Sequence, residues 1–258
     1  MKNIVIVVIV AVLASVATVM ISKSIGISGE AWIGGAVGGA VSGFLAVKLA
    51  NKTSDAVIPR YERGDSMNEI LFDDLWKSDR QQDWQVALAG YWRLVKSTHM
   101  ELEKDLDQLD PSRIIEMDGE EWFSWLRDDY FRWKYTAPNR LATTTMHLKK
   151  QHDELGADHF IKIRDDIFGC AESNVKDGLE AAMQIRGLGT AGASGLLSLV
   201  FPKIYGTVDQ FIVKRLLEVS DLPQMEELVK MNPESLTVRQ GVLLIEIMSD
   251  KADDLNRQ

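Results

Sequence analysis

The chain has 258 residues, of which 46% are hydrophobic and 26% are charged, a composition typical of folded proteins that excludes general disorder. Charge is distributed unevenly: residues 1–55 contain four lysines and two acidic residues, so the rest of the chain contains 25 basic and 36 acidic residues and has a net charge of −11. An acidic region of this size repels a polyanion at long range, so nucleic-acid binding requires a local basic face.

The first fifty residues have the composition of a membrane segment. Residues 4–21 are eighteen uncharged residues rich in Val and Ile, and residues 31–47 form a second apolar stretch. About twenty such residues in a helix cross a bilayer core. The sequence therefore predicts a two-helix transmembrane hairpin over residues 1–50 that turns at 22–30, with membrane lipid as its first partner.

Glycines recur at four-residue intervals in the second apolar stretch. They form two overlapping series: Gly34 and Gly38, and Gly35, Gly39 and Gly43. Small residues at this spacing let another helix backbone approach closely, although single glycines are also simply tolerated in lipid. The regular spacing favours packing, either within the hairpin or between copies in a homo-oligomer.

Positive charge predicts the orientation of the hairpin, because cytoplasmic flanks carry more Lys and Arg. Lys23 stands alone in the turn, whereas the two outer ends carry Lys2 and, on the other side, Lys48, Lys52, Arg60 and Arg63. Both ends are therefore expected to face the cytoplasm from the cytoplasmic (inner) membrane. The alternative is that residues 1–25 are a cleaved signal peptide, but one Lys before the apolar run and no clear cleavage site before Ser24 make it weaker.

The remainder of the chain is predicted to be a linker and a soluble helical domain. Residues 51–65 are polar and contain Pro59 and Gly64, and the pattern Ser66-x-x-Glu69 is typical of a capping box that opens the domain at 66–258. Amphipathic stretches follow at 67–79, 83–109, 119–135, 139–154, 157–169, 174–186, 190–200, 207–219, 223–231 and 235–254. No stretch alternates convincingly at period two, so the fold class is predicted to be all-α.

Cysteine and histidine content argues against metal chemistry. Cys170 is the one cysteine, which excludes an intrachain disulfide and a cysteine cluster for zinc or iron–sulfur, and fits a reducing compartment. The four histidines show no i, i+4 pairing. We therefore expect neither a metal site nor a cofactor.

A third of the aromatic residues fall between positions 120 and 140. These are Trp122, Phe123, Trp125, Tyr130, Phe131, Trp133 and Tyr135. Aromatic residues interleaved with basic groups can stack on bases and hold phosphates, but a buried helix with a charged outer face has the same pattern. We favour burial for the aromatic set, and keep Arg132, Lys134 and Arg140 as candidates for a basic face.

Residues 185–217 carry the functional lead. A helix is expected to end at Gly187, a tight turn to follow over Gly187-Leu188-Gly189, and a helix of small residues to begin near Thr190. Two glycines allow a sharp turn and leave the amides at the new N-terminus uncovered, a geometry suited to a phosphate oxygen.

This stretch resembles the helix-hairpin-helix of the DNA glycosylase superfamily related to endonuclease III, which would place the motif at residues 174–217. The family has hydrophobic-Gly-x-Gly followed by a small-residue helix, and then a Val-Asp pair. Here Val208-Asp209 stands eighteen residues after Ala191, at the family's spacing. Ala193 and Phe201 also fall where the family has similar residues.

The resemblance implies DNA as a partner and roles for particular residues. Backbone contacts would come from Arg186, Gly187, Gly189, Thr190, Lys203 and Lys214. Asp209 would be catalytic, stabilising the sugar cation left as a base departs. Ala191 stands where lyase-active members have their nucleophilic lysine, so Schiff-base strand cleavage is not implied, and the family's iron–sulfur cysteines are absent. The alternative is that Asp209 only caps its helix.

Three functions are consistent with the sequence. The first is a membrane-tethered protein that contacts the DNA backbone, as in surveillance of or defence against DNA entering at the membrane. The second is a monofunctional glycosylase-like enzyme that uses Asp209. The third is a non-enzymatic membrane scaffold whose acidic domain recruits a protein partner. If phosphate is the ligand, basic residues should cluster near the turn: Arg186, Lys203, Lys214 and Arg215.

Overall fold

The computed structural model describes residues 72–92 and 97–256, apart from the side chains of 88–92, 97, 98 and 107. The predicted membrane hairpin at 1–50, the linker at 51–65 and the Ser66–Glu69 capping box lie outside the described residues. Within the described ranges, no helix is both long and apolar enough to cross a membrane. The same ranges contain helices and turns but no strand, which confirms the all-α prediction for this part of the chain.

Thirteen helices and one π-helical turn are described within these ranges. They are α1 Phe72–Lys77, α2 Gln81–Trp92, α3 Ser97–Asp107, α4 Pro111–Glu116, α5 Gly119–Trp125, the π turn Leu126–Tyr130, α6 Phe131–Lys134, α7 Pro138–Leu155, α8 Ala157–Cys170, α9 Val175–Ala182, α10 Thr190–Val200, α11 Gln210–Leu216, α12 Met225–Val229 and α13 Val238–Asn256.

Local sequence explains where several helices begin. Asp110 caps α4 through a bond from the Ser112 N–H, and Asp118 forms a reciprocal capping box with Glu121 at the start of α5. Asn174 caps α9 in the same manner. Between α7 and α8 the chain turns at Gly156, whose φ of 76° lies in the left-handed region that favours glycine.

The predicted helix boundaries agree with the observed ones at the glycine turn that precedes α10. The small-residue helix was predicted at 190–200 and is observed at Thr190–Val200. The helix before it was predicted to run to Gly187, which is wrong, because α9 ends at Ala182 and residues 183–187 form turns. Helix α4 was not predicted, although its Asp110-Pro111 start is a recognisable signal.

The core contains the aromatic residues of the 120–140 segment. All seven are buried, with exposed fractions of 9% or less, which confirms the prediction that they form a helix face packed inside the protein. Trp122 and Trp125 stack with ring centroids 5.2 Å apart, and Trp125 stacks on Tyr130 at 6.0 Å. These rings therefore pack against one another in the core, and their faces are not available for stacking on a nucleic acid.

Helix α8 packs against α5, α7 and α9, and α9 packs in turn against α10 and α13. The first two helices contact later parts of the chain. The Gln81 side-chain amide donates to the Leu255 carbonyl at the end of α13 at 3.1 Å, and Asp73 accepts from the Ser220 N–H, between α11 and α12, at 2.9 Å. This arrangement holds the turn between α9 and α10 between α7 on one side and α13 on the other.

Candidate functional site

The turn between α9 and α10 is clamped by one side chain of α7. The buried Gln151 side chain donates to the Gln184 carbonyl at 2.8 Å, and its oxygen accepts from the Arg186 N–H at 2.7 Å. One amide group thus satisfies a donor and an acceptor of a turn whose backbone groups have no helix partners. The clamp fixes the entry to the glycine turn.

Gly187 requires glycine for two independent reasons. Its φ is 100°, and a Cβ built on it would lie 2.9 Å from the Thr144 carbonyl oxygen of α7. Its own carbonyl accepts from the Tyr135 hydroxyl at 3.0 Å. Gly187 is half-buried, and its carbonyl and φ tie it into the architecture of the turn.

Gly189 is different, because it is exposed and a Cβ built on it would meet nothing within 4 Å. It is the N-cap of α10, and no side chain of the described residues caps this end. The first amides of a helix lack intrahelical acceptors and carry the positive end of the helix dipole. Open space therefore lies beside Gly189 at the start of α10.

Thr190 does not present its side chain to that opening. It is 3% exposed, and its hydroxyl donates to the Leu236 carbonyl at 2.8 Å. A Cβ on Gly241 of α13 would come within 2.4 Å of the Thr190 methyl group, so α13 lies directly against this residue. The predicted role of Thr190 is therefore limited to its backbone amide.

Two arginines lie beside the turn. Arg186 is exposed and forms an ion pair with Glu154 of α7, so part of its charge is already neutralised. Arg140 is exposed, and its guanidinium carbon lies 5.9 Å from the ring centroid of Tyr135, the residue that binds Gly187. Arg140 was predicted from the aromatic segment, far from the turn in sequence, and the fold brings it there.

The other predicted basic residues lie on different elements. Lys203 follows the far end of α10, and eleven residues of helix separate the two ends by about 15 Å. Lys214 is exposed on α11, where it donates to Gln210 at 3.0 Å. Arg215 is buried and forms an ion pair with Glu218 at 2.6 Å. Arg132 is exposed, and its charge helps to lower the pKa of Asp128. Arg215 is therefore not available for such a cluster, and the grouping of Arg186, Lys203 and Lys214 stays a prediction.

Asp209 is the N-cap of α11. Its Oδ1 accepts from the N–H groups of Phe211 at 2.9 Å and Ile212 at 3.2 Å, which is the capping geometry that the sequence left open as an alternative to catalysis. The preceding residue is tied to α10, because the Val208 N–H donates to the Ser194 hydroxyl at 3.0 Å. The half-buried Asp209 carboxylate is thereby held beside α10.

Lys134 was predicted on a basic face, but the structure places it inside the protein. It is 5% exposed, and its Nζ has no hydrogen-bond partner among the described residues. A Cβ built on Gly195 of α10 would lie 3.1 Å from Nζ of Lys134 and 2.9 Å from the Tyr130 hydroxyl oxygen. The missing side chain at Gly195 thus leaves room for the amine.

The π turn explains why a lysine faces inward. The Phe131 N–H donates to the Leu126 carbonyl five residues earlier, so one extra residue widens the helix at this point. After this turn, Phe131, Trp133 and Lys134 are all buried. Such turns occur frequently at functional sites, and this one directly precedes the buried amine.

Burial lowers the pKa of Lys134 to about 8, because desolvation disfavours the ammonium form. The charge of Asp209 opposes this effect, and that of Arg140 adds to it. Burial also raises the pKa of the Tyr130 hydroxyl well above its ordinary value. The site therefore combines an amine that loses its proton near pH 8, a half-buried carboxylate and a neutral phenol.

Sequence reasoning missed three contributors to this site: Gln151, Tyr135 and Gly195. Gln151 and Tyr135 act through the turn backbone, for which a sequence contains no local signal. Gly195 had a usable signal, because Gly192 and Gly195 are spaced three residues apart on a helix, and this spacing indicates close approach of a neighbouring element. In the structure the approaching groups are Tyr135 at Gly192 and Lys134 at Gly195.

Comparison of the chain with protein-family models, with curated proteins and with solved structures finds no match.

Proposed function

We propose that this chain is a membrane-anchored helix-hairpin-helix protein that contacts the DNA backbone through the turn before α10. The observation that supports it best is the open N-terminus of α10 at the exposed Gly189, with Arg140 and Arg186 exposed nearby. A phosphate oxygen at this position accepts hydrogen bonds from backbone amides and is favoured by the helix dipole. Tethering at the membrane suits a role in surveillance of incoming DNA.

The net charge of the domain limits how DNA is held. Because the chain beyond residue 55 carries −11, long-range attraction is weak, and binding depends on short-range contacts at the turn. Arg186 shares its charge with Glu154, so Arg140 is the stronger electrostatic contributor. The interaction is therefore weak, independent of sequence and sensitive to salt.

Gly189 allows a clean test of this contact. Its φ of −94° suits any residue, and the space around it is open, so Gly189→Val adds bulk in front of the amides without a clash inside the protein. We expect Gly189→Val in the full chain to weaken binding to a DNA duplex, and Gly189→Ala to weaken it less. Fluorescence anisotropy with a labelled duplex provides the measurement.

Gly169 of α8 offers a matched control. It is also exposed, and a Cβ on it also meets nothing within 4 Å, but it lies inside a helix and exposes no free amides. Gly169→Val should therefore leave DNA affinity unchanged. Equal affinities for Gly189→Val, Gly169→Val and the unmodified chain would count against the proposal and favour the scaffold hypothesis.

A second candidate is base excision through Asp209, whose half-buried carboxylate is fixed at the start of α11 by the Phe211 and Ile212 N–H groups. A carboxylate held in a fixed position beside a DNA contact could stabilise positive charge on a sugar as its base leaves. Asp209→Asn should then abolish base release while DNA affinity is retained. Asp110→Asn is the matched control, because Asp110 also caps a helix, α4, through its Oδ1. Base release that survives Asp209→Asn would exclude this candidate.

A further inference from the structure

The chain beyond residue 55 is acidic, but its acidic residues avoid two parts of the sequence. The two longest stretches without Asp or Glu in this region are residues 130–152 and 181–208. The first contains α7 up to His152, and the second contains the glycine turn and α10. Because α7 contacts this turn through Thr144 and Gln151, the two stretches meet at the candidate site. Negative charge is therefore sparse where the DNA contact is proposed.

A row of exposed side chains on α7 runs beside the turn. Arg140, His147 and Glu154 are spaced seven residues apart, which is about two helical turns, so they lie on one side of α7. At one end of the row, Arg140 lies over the ring of Tyr135, whose hydroxyl binds the turn. At the other end, Glu154 forms an ion pair with Arg186 of the turn. The row therefore extends the surface of the turn along α7.

Glu154 brings two cations together at its end of the row. Its carboxylate forms ion pairs with Lys150 of α7 at 3.7 Å and with Arg186. The hydrogen bond from Arg186 is the main reason that the pKa of Glu154 lies below its ordinary value. All three side chains are at least 42% exposed, so other anions have access to the two cations. Lys150 and Arg186 are thus placed to hold one anionic group between them, and Glu154 is the group that they hold in this structure.

The four positions Arg140, His147, Lys150 and Arg186 are called the α7 row below. We propose that the α7 row holds successive phosphates of one DNA strand, and that Glu154 competes with a phosphate for Lys150 and Arg186. This inference rests on the proposed DNA contact, and it gives that contact a length and an internal competitor. Ten residues of helix separate Arg140 from Lys150 by about 15 Å, which corresponds to roughly four nucleotides of one strand at about 3.4 Å each.

The length of the α7 row favours a polymer over a small anion. One phosphate ion bridges Lys150 and Arg186 but does not also reach Arg140, about 15 Å away along the helix. A DNA strand contacts both ends of the row, and His147 between them offers a ring N–H group. Contacts of this kind position a protein on the DNA backbone and do not read its sequence.

Paired variants of α7 test this inference in the full chain. Lys150→Gln removes one cation of the row. Lys149→Gln is its matched control, because Lys149 is similarly exposed and has the same kind of i,i+4 ion pair, with Asp153 at 3.2 Å, but lies about 100° around the helix on the side away from the turn. Glu154→Gln removes the competitor, and Asp153→Asn is its control. Fluorescence anisotropy with a labelled duplex is measured as a function of salt concentration.

We expect Glu154→Gln to bind DNA roughly threefold to tenfold more tightly than the unmodified chain, because two exposed ion pairs no longer have to be broken. Lys150→Gln should weaken binding roughly threefold and reduce the salt slope by about 1. Both controls should change affinity by less than about twofold, since exposed charges away from the contact are screened. A gain of affinity is the most informative result, because a variant that only disturbs the fold loses affinity.

The inference is overturned if Glu154→Gln does not increase affinity, or if each control has the same effect as its partner variant. When Gly189→Val still weakens binding in that case, the proposed contact at the turn stands and only the α7 row fails. Absence of DNA binding at low salt by both the unmodified chain and Glu154→Gln overturns both proposals together.

Inorganic phosphate distinguishes a strand from an isolated anion. Replacing chloride by phosphate at equal ionic strength should change the affinity of Glu154→Gln for the duplex by less than about twofold, because a single ion competes poorly with several linked contacts. Displacement of the duplex by phosphate under these conditions would reduce the position between Lys150 and Arg186 to a site for a free anion and overturn the inference.

Discussion

Replacing Lys134 by methionine should stabilise the protein at neutral pH. Methionine is of similar length and removes a buried amine that has no hydrogen-bond partner among the described residues. Lowering the pKa of Lys134 from 10.5 to about 8 on folding corresponds to about 3 kcal/mol of destabilisation, since each pKa unit represents about 1.4 kcal/mol. Lys134→Met should raise the free energy of unfolding at pH 7 by about this amount.

The pH dependence gives this prediction a definite sign. Because the folded-state pKa is lower than the unfolded-state value, the folded chain pays the full desolvation penalty below pH 8 and progressively less as the pH rises toward 10.5. The advantage of Lys134→Met should therefore shrink to roughly half, about 1.5 kcal/mol, at pH 9.5. Tyrosines that ionise at high pH affect both proteins, so the difference isolates Lys134.

Denaturant unfolding followed by tryptophan fluorescence at pH 7 and pH 9.5 provides the measurement. Lys162→Met, at an exposed position on α8, is the control and should change stability little at either pH. The reasoning would be refuted if Lys134→Met were less stable than the unmodified chain at pH 7. An advantage that did not change with pH would also refute it.

Three further predictions concern the turn and the N-terminal segment. Gly187→Ala should lower the free energy of unfolding by about 1–2 kcal/mol, because a φ of 100° is strained for a residue with a Cβ. Gly189→Ala lacks this strain and should lower it by less, about 0.5 kcal/mol in the same denaturation assay, because alanine is a poorer N-cap than glycine. If both termini are cytoplasmic, protease added outside spheroplasts should leave residues 66–258 intact, and their removal would show that the predicted topology is wrong. The double variant Gly38→Leu and Gly39→Leu should reduce crosslinking between copies without releasing the chain from the membrane fraction, since leucine suits lipid but blocks close helix approach; unchanged crosslinking would place these glycines outside an interface.

Much of the helical architecture was predictable because its signals are local. The N-terminus of α10 follows a Gly-Leu-Gly turn, and the burial of the 120–140 aromatics follows from their number and spacing. The end of α9 was not predictable, because residues 183–187 are compatible with helix and are held in turns by Gln151 from another helix. Tertiary hydrogen bonds outweigh local propensity at this point.

The candidate site shows the same division. Asp209 as a helix cap could be anticipated from the Thr207-x-Asp209 start of α11, and the structure shows its two capping bonds. Lys134 was assigned to the wrong environment, because a regular helix does not predict the π turn at Leu126–Tyr130 that precedes it. Lys134 lies against Gly195, sixty-one positions later in the chain, and hydrophobic periodicity does not predict a contact between such distant positions.

The most direct test of the central proposal is the salt dependence of DNA binding by the full chain. Each phosphate contact releases counterions and contributes about −0.9 to the slope of log K against log salt concentration. Contact through the α10 amides together with Arg140 and Arg186 predicts weak binding at low salt with a slope of roughly −2 to −3, reduced by about 1 in Arg140→Ala. The proposal would be contradicted if the chain bound neither single-stranded nor duplex DNA at low salt, or if its affinity did not change with salt.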